Sequence, residues 1–319
     1  MQNKMSRRTL LTGAGAALAA SAAGVFATPK RAAAADTPKD TFRYSLNTST
    51  IRGQKLPIDK EVDIAAEAGY NAIEPWIHEL DAFVKAGGSM KDLDKRIRDK
   101  GLVVEDTIGF PEWIVEDDAK RAKGLEEARR CMELVSQIGC KRLAAPPVGA
   151  TDAAHAVTDL MKIADRYRAL LDVGEKMGIV PQVEMWGFSK TLGRLGEAAM
   201  VAAESGKPQA CVLADIYHLH KGGSEFAGLK LLSESCIQVF HVNDYPETPG
   251  REKITDAHRV YPGDGVAPLS QVFNDLRKIG FKGVLSLELF NPGYWKQDAM
   301  LVAKTGLEKT KAAVQKSLE

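Results

Sequence analysis

From Asp36 onward the chain repeats one phrase, in which a helical stretch closes on glycine and passes at once into a short apolar run. It reads "AAEAG" then "YNAIEPW", "RIRDKG" then "LVVEDTIGF", "LVSQIG" then "CKRLAAPP", "GEKMG" then "IVPQVEMWG", "AAESG" then "KPQACVLADIY", and "LRKIG" then "FKGVLSLELF". Gly69, Gly101, Gly139, Gly178, Gly206 and Gly280 stand where a helix takes a left-handed C-cap. With "TFRYSLNTS" at the start and "CIQVFHVND" before the last unit there are eight apolar runs, each followed by a helical stretch. Buried strands that alternate with helices are joined by crossovers and so lie parallel. Eight such units in about 280 residues predict an α/β fold, a single-domain (β/α)8 TIM barrel over residues 36–319. An open Rossmann-like sheet is the other arrangement. It lacks its signature here, because no GxGxxG follows a strand and "GAGAALAA" lies in the N-terminal segment.

Residues 1–35 are different in kind. Arg7 and Arg8, within "SRRTLL", precede an Ala- and Gly-rich apolar run too weak and short for a stable spanning helix. The segment resembles a twin-arginine signal peptide, with small residues suited to cleavage at Ala27 and at Ala33 to Ala35. That resemblance implies the twin-arginine export machinery as a partner, a periplasmic or secreted location, and no membrane span in the mature form. Removing the five basic residues of this segment leaves 38 basic against 42 acidic side chains, a net charge of −4. A mildly acidic chain is poorly suited to a phosphate backbone, so no nucleic-acid partner is expected. Cys131, Cys140, Cys211 and Cys236 are far apart, lack metal-finger spacing and read as core.

In a parallel barrel all strands end at one face, so polar residues at the run ends line a shared pocket. The first run ends at Asn47, the second at Glu74, the third carries Glu105 and Asp106, and the fourth has no ionisable group beside Pro146 and Pro147. The next four bring Glu184, then Asp215 with His218 three residues on, then His241 with Asp244, then Glu288. Three carboxylates and a histidine from consecutive strands would be driven to protonate unless a cation sat among them. An oxygen-rich set with one nitrogen and no cysteine favours manganese, magnesium or cobalt, with zinc admissible. Taken singly, each residue has a plainer reading as a helix cap, an ion-pair member or a hydrogen-bonded core histidine.

"VEMWG", the DxxH of "DIYHLH", "FHVNDYP", "YPGDG" and "LSLELF" resemble the xylose isomerase-like TIM-barrel superfamily, and within it the sugar phosphate isomerase/epimerase branch. The resemblance runs from about Phe42 to the C-terminus. It implies one divalent ion on Glu184, Asp215, His241 and Glu288, with Glu184 and Glu288 as the acid/base pair and His218 touching substrate. Several epimerases of the branch place an arginine a few residues after the metal histidine. Here "HVNDYPETPGREK" sets Arg251 and Lys253 after a longer insertion. Glu74, Asp244, Arg251 and Trp186 are the further candidates for substrate contacts, and Tyr217, Tyr294 and Trp295 could also stack on a sugar ring.

Such an ion would acidify the C–H beside a carbonyl, a glutamate could take that proton, and an enediolate would follow. Return of the proton to the other face is epimerisation, return to the next carbon is isomerisation, and loss of a β-substituent is elimination. Export favours an unphosphorylated small-molecule carbohydrate: a keto-sugar, a keto-inositol or a 3-keto-glycoside. An AP endonuclease-like nuclease would need more histidines at the pocket, and a non-catalytic carbohydrate-binding barrel would not need both glutamates. The runs are compatible with a monomer or a homo-oligomer.

Overall fold

The structure is a computed structural model that describes residues 42–319. The arginine pair and the rest of the expected signal peptide lie outside the described residues.

Seven parallel strands, all short, make one sheet among the described residues. They are β1 (Arg43–Asn47), β2 (Ala72–Glu74), β3 (Arg142–Ala145), β4 (Val180–Glu184), β5 (Val212–Asp215), β6 (Val239–Val242) and β7 (Val284–Leu287), in the order β2-β1-β7-β6-β5-β4-β3. The third apolar run, expected as a strand, is the exception. Residues 102–110 form only isolated parallel bridges, Val103 with Ala72 and Ile108 with Trp76. Ala144 N–H of β3 donates to Thr107 O at 3.0 Å on the other side. The run therefore stands between β2 and β3 as the eighth stave of a closed ring, without a continuous ladder. Charged side chains fill its middle: Glu105 pairs with Arg43 and Arg142, and Asp106 is buried.

Helices cover the outside: α1 (Ile58–Ala68), α2 (Ile77–Lys85), α3 (Met90–Asp99), α4 (Asp118–Ser136), α5 (Leu160–Met177), α6 (Leu195–Glu204), α7 (Ile216–Gly222), α8 (Leu269–Lys278) and α9 (Ala299–Lys316). The six predicted capping glycines all have positive φ. At Gly178, φ of 69° lets its N–H reach back to Gly174 O and turns the chain into β4. α5 shows how a helix docks. Ile163, Tyr167, Leu170, Leu171 and Gly174 repeat at three- and four-residue spacing, and that face is buried. The Tyr167 hydroxyl donates to Pro181 O of β4 at 2.8 Å. Burying a leucine such as Leu170 or Leu171 contributes about 1.5–3 kcal/mol. No helix of the described residues is long and apolar enough to cross a membrane.

Candidate metal centre

Four successive strands deliver the expected ligands at their carboxyl ends. Glu184 closes β4, Asp215 closes β5, His241 is the register partner of Asp215 on β6, and Glu288 follows β7. None of the four is more than 4% exposed. Asp215, His241 and Glu288 each place one donor atom within 4.8 Å of the others. His241 Nδ1 lies 3.2 Å from Glu288 Oε2 and 3.8 Å from Asp215 Oδ2, yet it is buried without a hydrogen-bond partner. Glu184 stands beside this trio rather than in it. Its Oε1 accepts the Trp186 indole N–H at 2.9 Å, and its Oε2 is buried without a partner.

These orphaned atoms are the test of fit for a divalent ion, and the site passes it. A buried imidazole nitrogen that faces carboxylates without a formed hydrogen bond, and a buried carboxylate oxygen with no partner, are costly unless a cation takes them. Burial, with Glu288 and Asp215 nearby, pushes the Glu184 carboxyl up to about 8. Burial opposes charge on Glu288 too, but His241 and Arg259 outweigh it and hold that carboxyl below the usual range. Asp215, His241 and Glu288 would hold the ion, with Glu184 completing the set.

Behind the trio, Glu74 fixes the histidine. Its Oε1 lies 3.1 Å from His241 Nε2, and its Oε2 accepts from Asn47 Nδ2 at 2.7 Å and from the Ser286 hydroxyl. A carboxylate on Nε2 holds the proton there and leaves Nδ1 as the lone-pair nitrogen facing Asp215 and Glu288. Burial and the Glu74 charge push Asp106 well above the ordinary carboxylate range. Glu74→Gln is expected to weaken metal binding by about 10–100-fold with the fold retained. Competition against a chelating dye measures this, and an unchanged affinity would contradict the orienting role.

His218 begins its work one turn beyond Asp215, which caps α7 by accepting from His218 N at 2.8 Å. The Gly187 N–H donates to His218 Nδ1 at 3.2 Å. Gly187 has to be glycine, because a Cβ there would meet His218 O at 2.4 Å. Burial lowers the His218 pKa. Nε2 lies 3.2 Å from Arg259 Nη2, and both residues line the cavity above the trio. The imidazole and the guanidinium face the cavity together.

Three expected substrate contacts are elsewhere. Glu74 is beneath the trio, as described. The Asp244 carboxylate accepts the backbone N–H groups of Tyr245, Gly263, Gly265 and Ala267 at 2.8–3.1 Å, so it ties down the "YPGDG" loop. Arg251 is exposed, in a turn over α7, where its carbonyl accepts from Lys221 Nζ. Of the aromatics, Trp186 lines the cavity. Tyr217 lies under Arg259, Tyr294 stacks on Tyr261, and Trp295 donates to Ser49 O.

Arg259 is the site residue that sequence reasoning missed. It is 1% exposed, and its Nη1 donates to Asp215 Oδ2 and Glu288 Oε2, each at 2.8 Å. Its Nη2 and Nε donate to Asp256, which also lines the cavity. An antiparallel bridge between Asp244 and Val260 returns the chain after the long loop and brings Arg259 in from above. Asn243 links the same parts, donating to Asp215 Oδ2 and accepting from Tyr217 N.

Fold and site together define the class, a TIM barrel whose buried acidic and histidine residues gather at the carboxyl ends of its strands. Residues 62–313 match the family described as Xylose isomerase-like TIM barrel, and the chain belongs to that family. An inosose isomerase of Bacillus velezensis is 27% identical over 265 residues, 81% of this chain and 92% of that protein. A 3-dehydroshikimate dehydratase of Pseudomonas aeruginosa is 24% identical over 86% of this chain, and the match spans 43% of that longer protein. Among solved structures, the IOLI protein with a bound zinc atom superposes with a TM-score of 0.80 at 22% identity, covering 86% of this chain and 99% of that one. An L-ribulose 3-epimerase superposes at 0.70 and 17%, over 86% and 95% of the two chains.

Proposed function

We propose that this protein is a divalent-metal-dependent isomerase or epimerase of a keto-sugar or keto-inositol, acting by proton removal from the carbon beside the ketone. The observation that carries the reading is the buried Asp215, His241 and Glu288 trio, with orphaned His241 Nδ1 and Glu184 Oε2, next to a cavity of about 250 Å³ that Glu184 and Glu288 line. The ion would supply Lewis acidity that makes such a C–H acidic. Glu184 takes the proton. Glu288, three staves away on the ring, faces the substrate from another side and returns a proton or assists a leaving group. His218 and Arg259 face the oxygen on which charge develops. Aromatic walls keep water from that charge. No lysine lines the cavity, and Arg259 already serves three carboxylates, which suits an unphosphorylated substrate.

A dehydratase reading is favoured by the match to the 3-dehydroshikimate dehydratase. Elimination shares the first proton removal and differs in the loss of a β-substituent. One experiment serves both. In heavy water the metal-loaded protein is expected to place deuterium beside the carbonyl of a panel of inososes and keto-sugars, and the product then separates isomer from dehydrated ketone. Metal-loaded protein that neither exchanges nor turns over any of them would end the proposal.

We also propose export by the twin-arginine route, supported by Arg7, Arg8 and the run that follows. Changing both arginines to lysine is expected to leave the protein in the cytoplasm, and undiminished export would refute this.

A further inference from the structure

The cavity is lined by a continuous circuit of side chains, most of them aromatic. Phe290 lies 6.0 Å from Trp76, Trp76 5.3 Å from Phe110, Phe110 6.0 Å from Trp186, and Trp186 5.4 Å from Phe188 between ring centroids. Phe188 is 5.9 Å from the His218 ring, His218 Nε2 meets Arg259, and the Arg259 guanidinium lies 5.0 Å over Phe290. The circuit has two levels. Trp76 is 8% exposed, low in the wall, while Phe110 and Phe188 are 42% and 45% exposed at the rim. Glu184 and Glu288 are buried within the circuit, and Asp256 also lines the cavity.

The two rim phenylalanines come from separate segments, and the backbone beneath each is pinned. Ile108 N–H donates to Pro75 O and Ile77 N–H to Ile108 O, two residues before Phe110. Ser189 N–H donates to Trp186 O at 2.8 Å, closing a turn around Phe188. Large apolar side chains held rigidly in water beside a concave polar site are the informative kind of exposure. A rigid aromatic surface binds a flat apolar group at small cost in ordering. The cavity volume, at about 30 Å³ for each water it would displace, holds one polyol ring and leaves anything attached to that ring lying against the rim.

We propose that the substrate is a polyol ring carrying a flat apolar substituent, an aryl glycoside being the representative, with the polyol inside the circuit and the substituent on Phe110 and Phe188. The inference rests on the proposed sugar chemistry of the same cavity and adds to it the part of the substrate outside. The free carbohydrate alone would leave the rim uncovered.

Isothermal titration of the manganese-loaded protein with phenyl β-D-glucopyranoside and with methyl β-D-glucopyranoside tests this. The phenyl glycoside is expected to bind about 10-fold tighter or more. In Phe110→Ser and Phe188→Ser the ratio of the two affinities is expected to fall toward one. Equal affinities in the wild-type protein, no binding of either glycoside, or a ratio that survives both substitutions would each overturn the inference. Deuterium exchange into unsubstituted keto-sugars, followed in the same proteins, keeps the two readings apart: exchange without aryl preference sinks the substituent alone, and loss of both sinks the sugar chemistry as well.

Discussion

Glu184→Gln is expected to lower kcat by about 10²–10⁴-fold while changing substrate affinity only a few-fold, and Glu288→Gln to do the same. Glutamine keeps an oxygen where the glutamate had one but cannot carry the transferred proton at neutral pH. The two positions are not equivalent. Glu184 has one oxygen on Trp186 and one without a partner among the described residues. Glu288 is shared among His241, Arg259 and Asn47, so its variant should also lose some metal. Steady-state kinetics with the metal content of each protein measured alongside separates a lost base from a lost ligand. Near-normal turnover in both variants would move the acid/base work to His218 and Asp256, the cavity's other titratable groups.

Much of that pair's placement was legible before any coordinates, because strand ends in a parallel barrel share one face and "VEMWG", "LADIY", "FHVND" and "LSLELF" each turn polar at the end. What a run of residues does not disclose is depth. Glu74 and Asn47 also end their strands, yet their side chains lie below the trio and bond to one another. Asp244 directly follows "FHVN" and looked like a pocket residue. Its carboxylate instead gathers four backbone N–H groups that come from across the loop, nineteen to twenty-three residues on for three of them. The third run was read as a strand from its apolar content, and it keeps its place in the ring through isolated bridges alone, with Glu105 and Asp106 in its middle. Arg259 was illegible for a related reason. Expectation followed sequence distance from His241, toward Arg251, whereas the bridge at Asp244 and Val260 makes position 259 the near one in space.

Arg259→Met is expected to destabilise the metal-free protein by about 3–5 kcal/mol. The arginine is buried on Asp215, Glu288 and Asp256 and stacks over Tyr217 at 4.5 Å and Phe290 at 5.0 Å. Methionine replaces the stem but leaves Asp215 and Glu288 buried without the guanidinium that bridged them. Removing one partner of such a network costs far more than the network's own net contribution, since the remaining charges can no longer reach water. Lysine should rescue little, because a single ammonium cannot span acceptors that the guanidinium reaches through separate nitrogens. The proposed ion supplies the contrast. Its oxygens include those that Arg259 Nη1 touches, so saturating manganese should restore more stability to Arg259→Met than it adds to the wild-type protein. Binding at a thousandfold excess over Kd is worth about 4 kcal/mol, enough to offset most of the loss. Urea unfolding of both proteins, with manganese and with chelator, measures the four values. A loss below about 1 kcal/mol in chelator would mean that Arg259 does not carry the charge balance of the site, and an equal gain from manganese in both proteins would mean that ion and guanidinium do not share those oxygens.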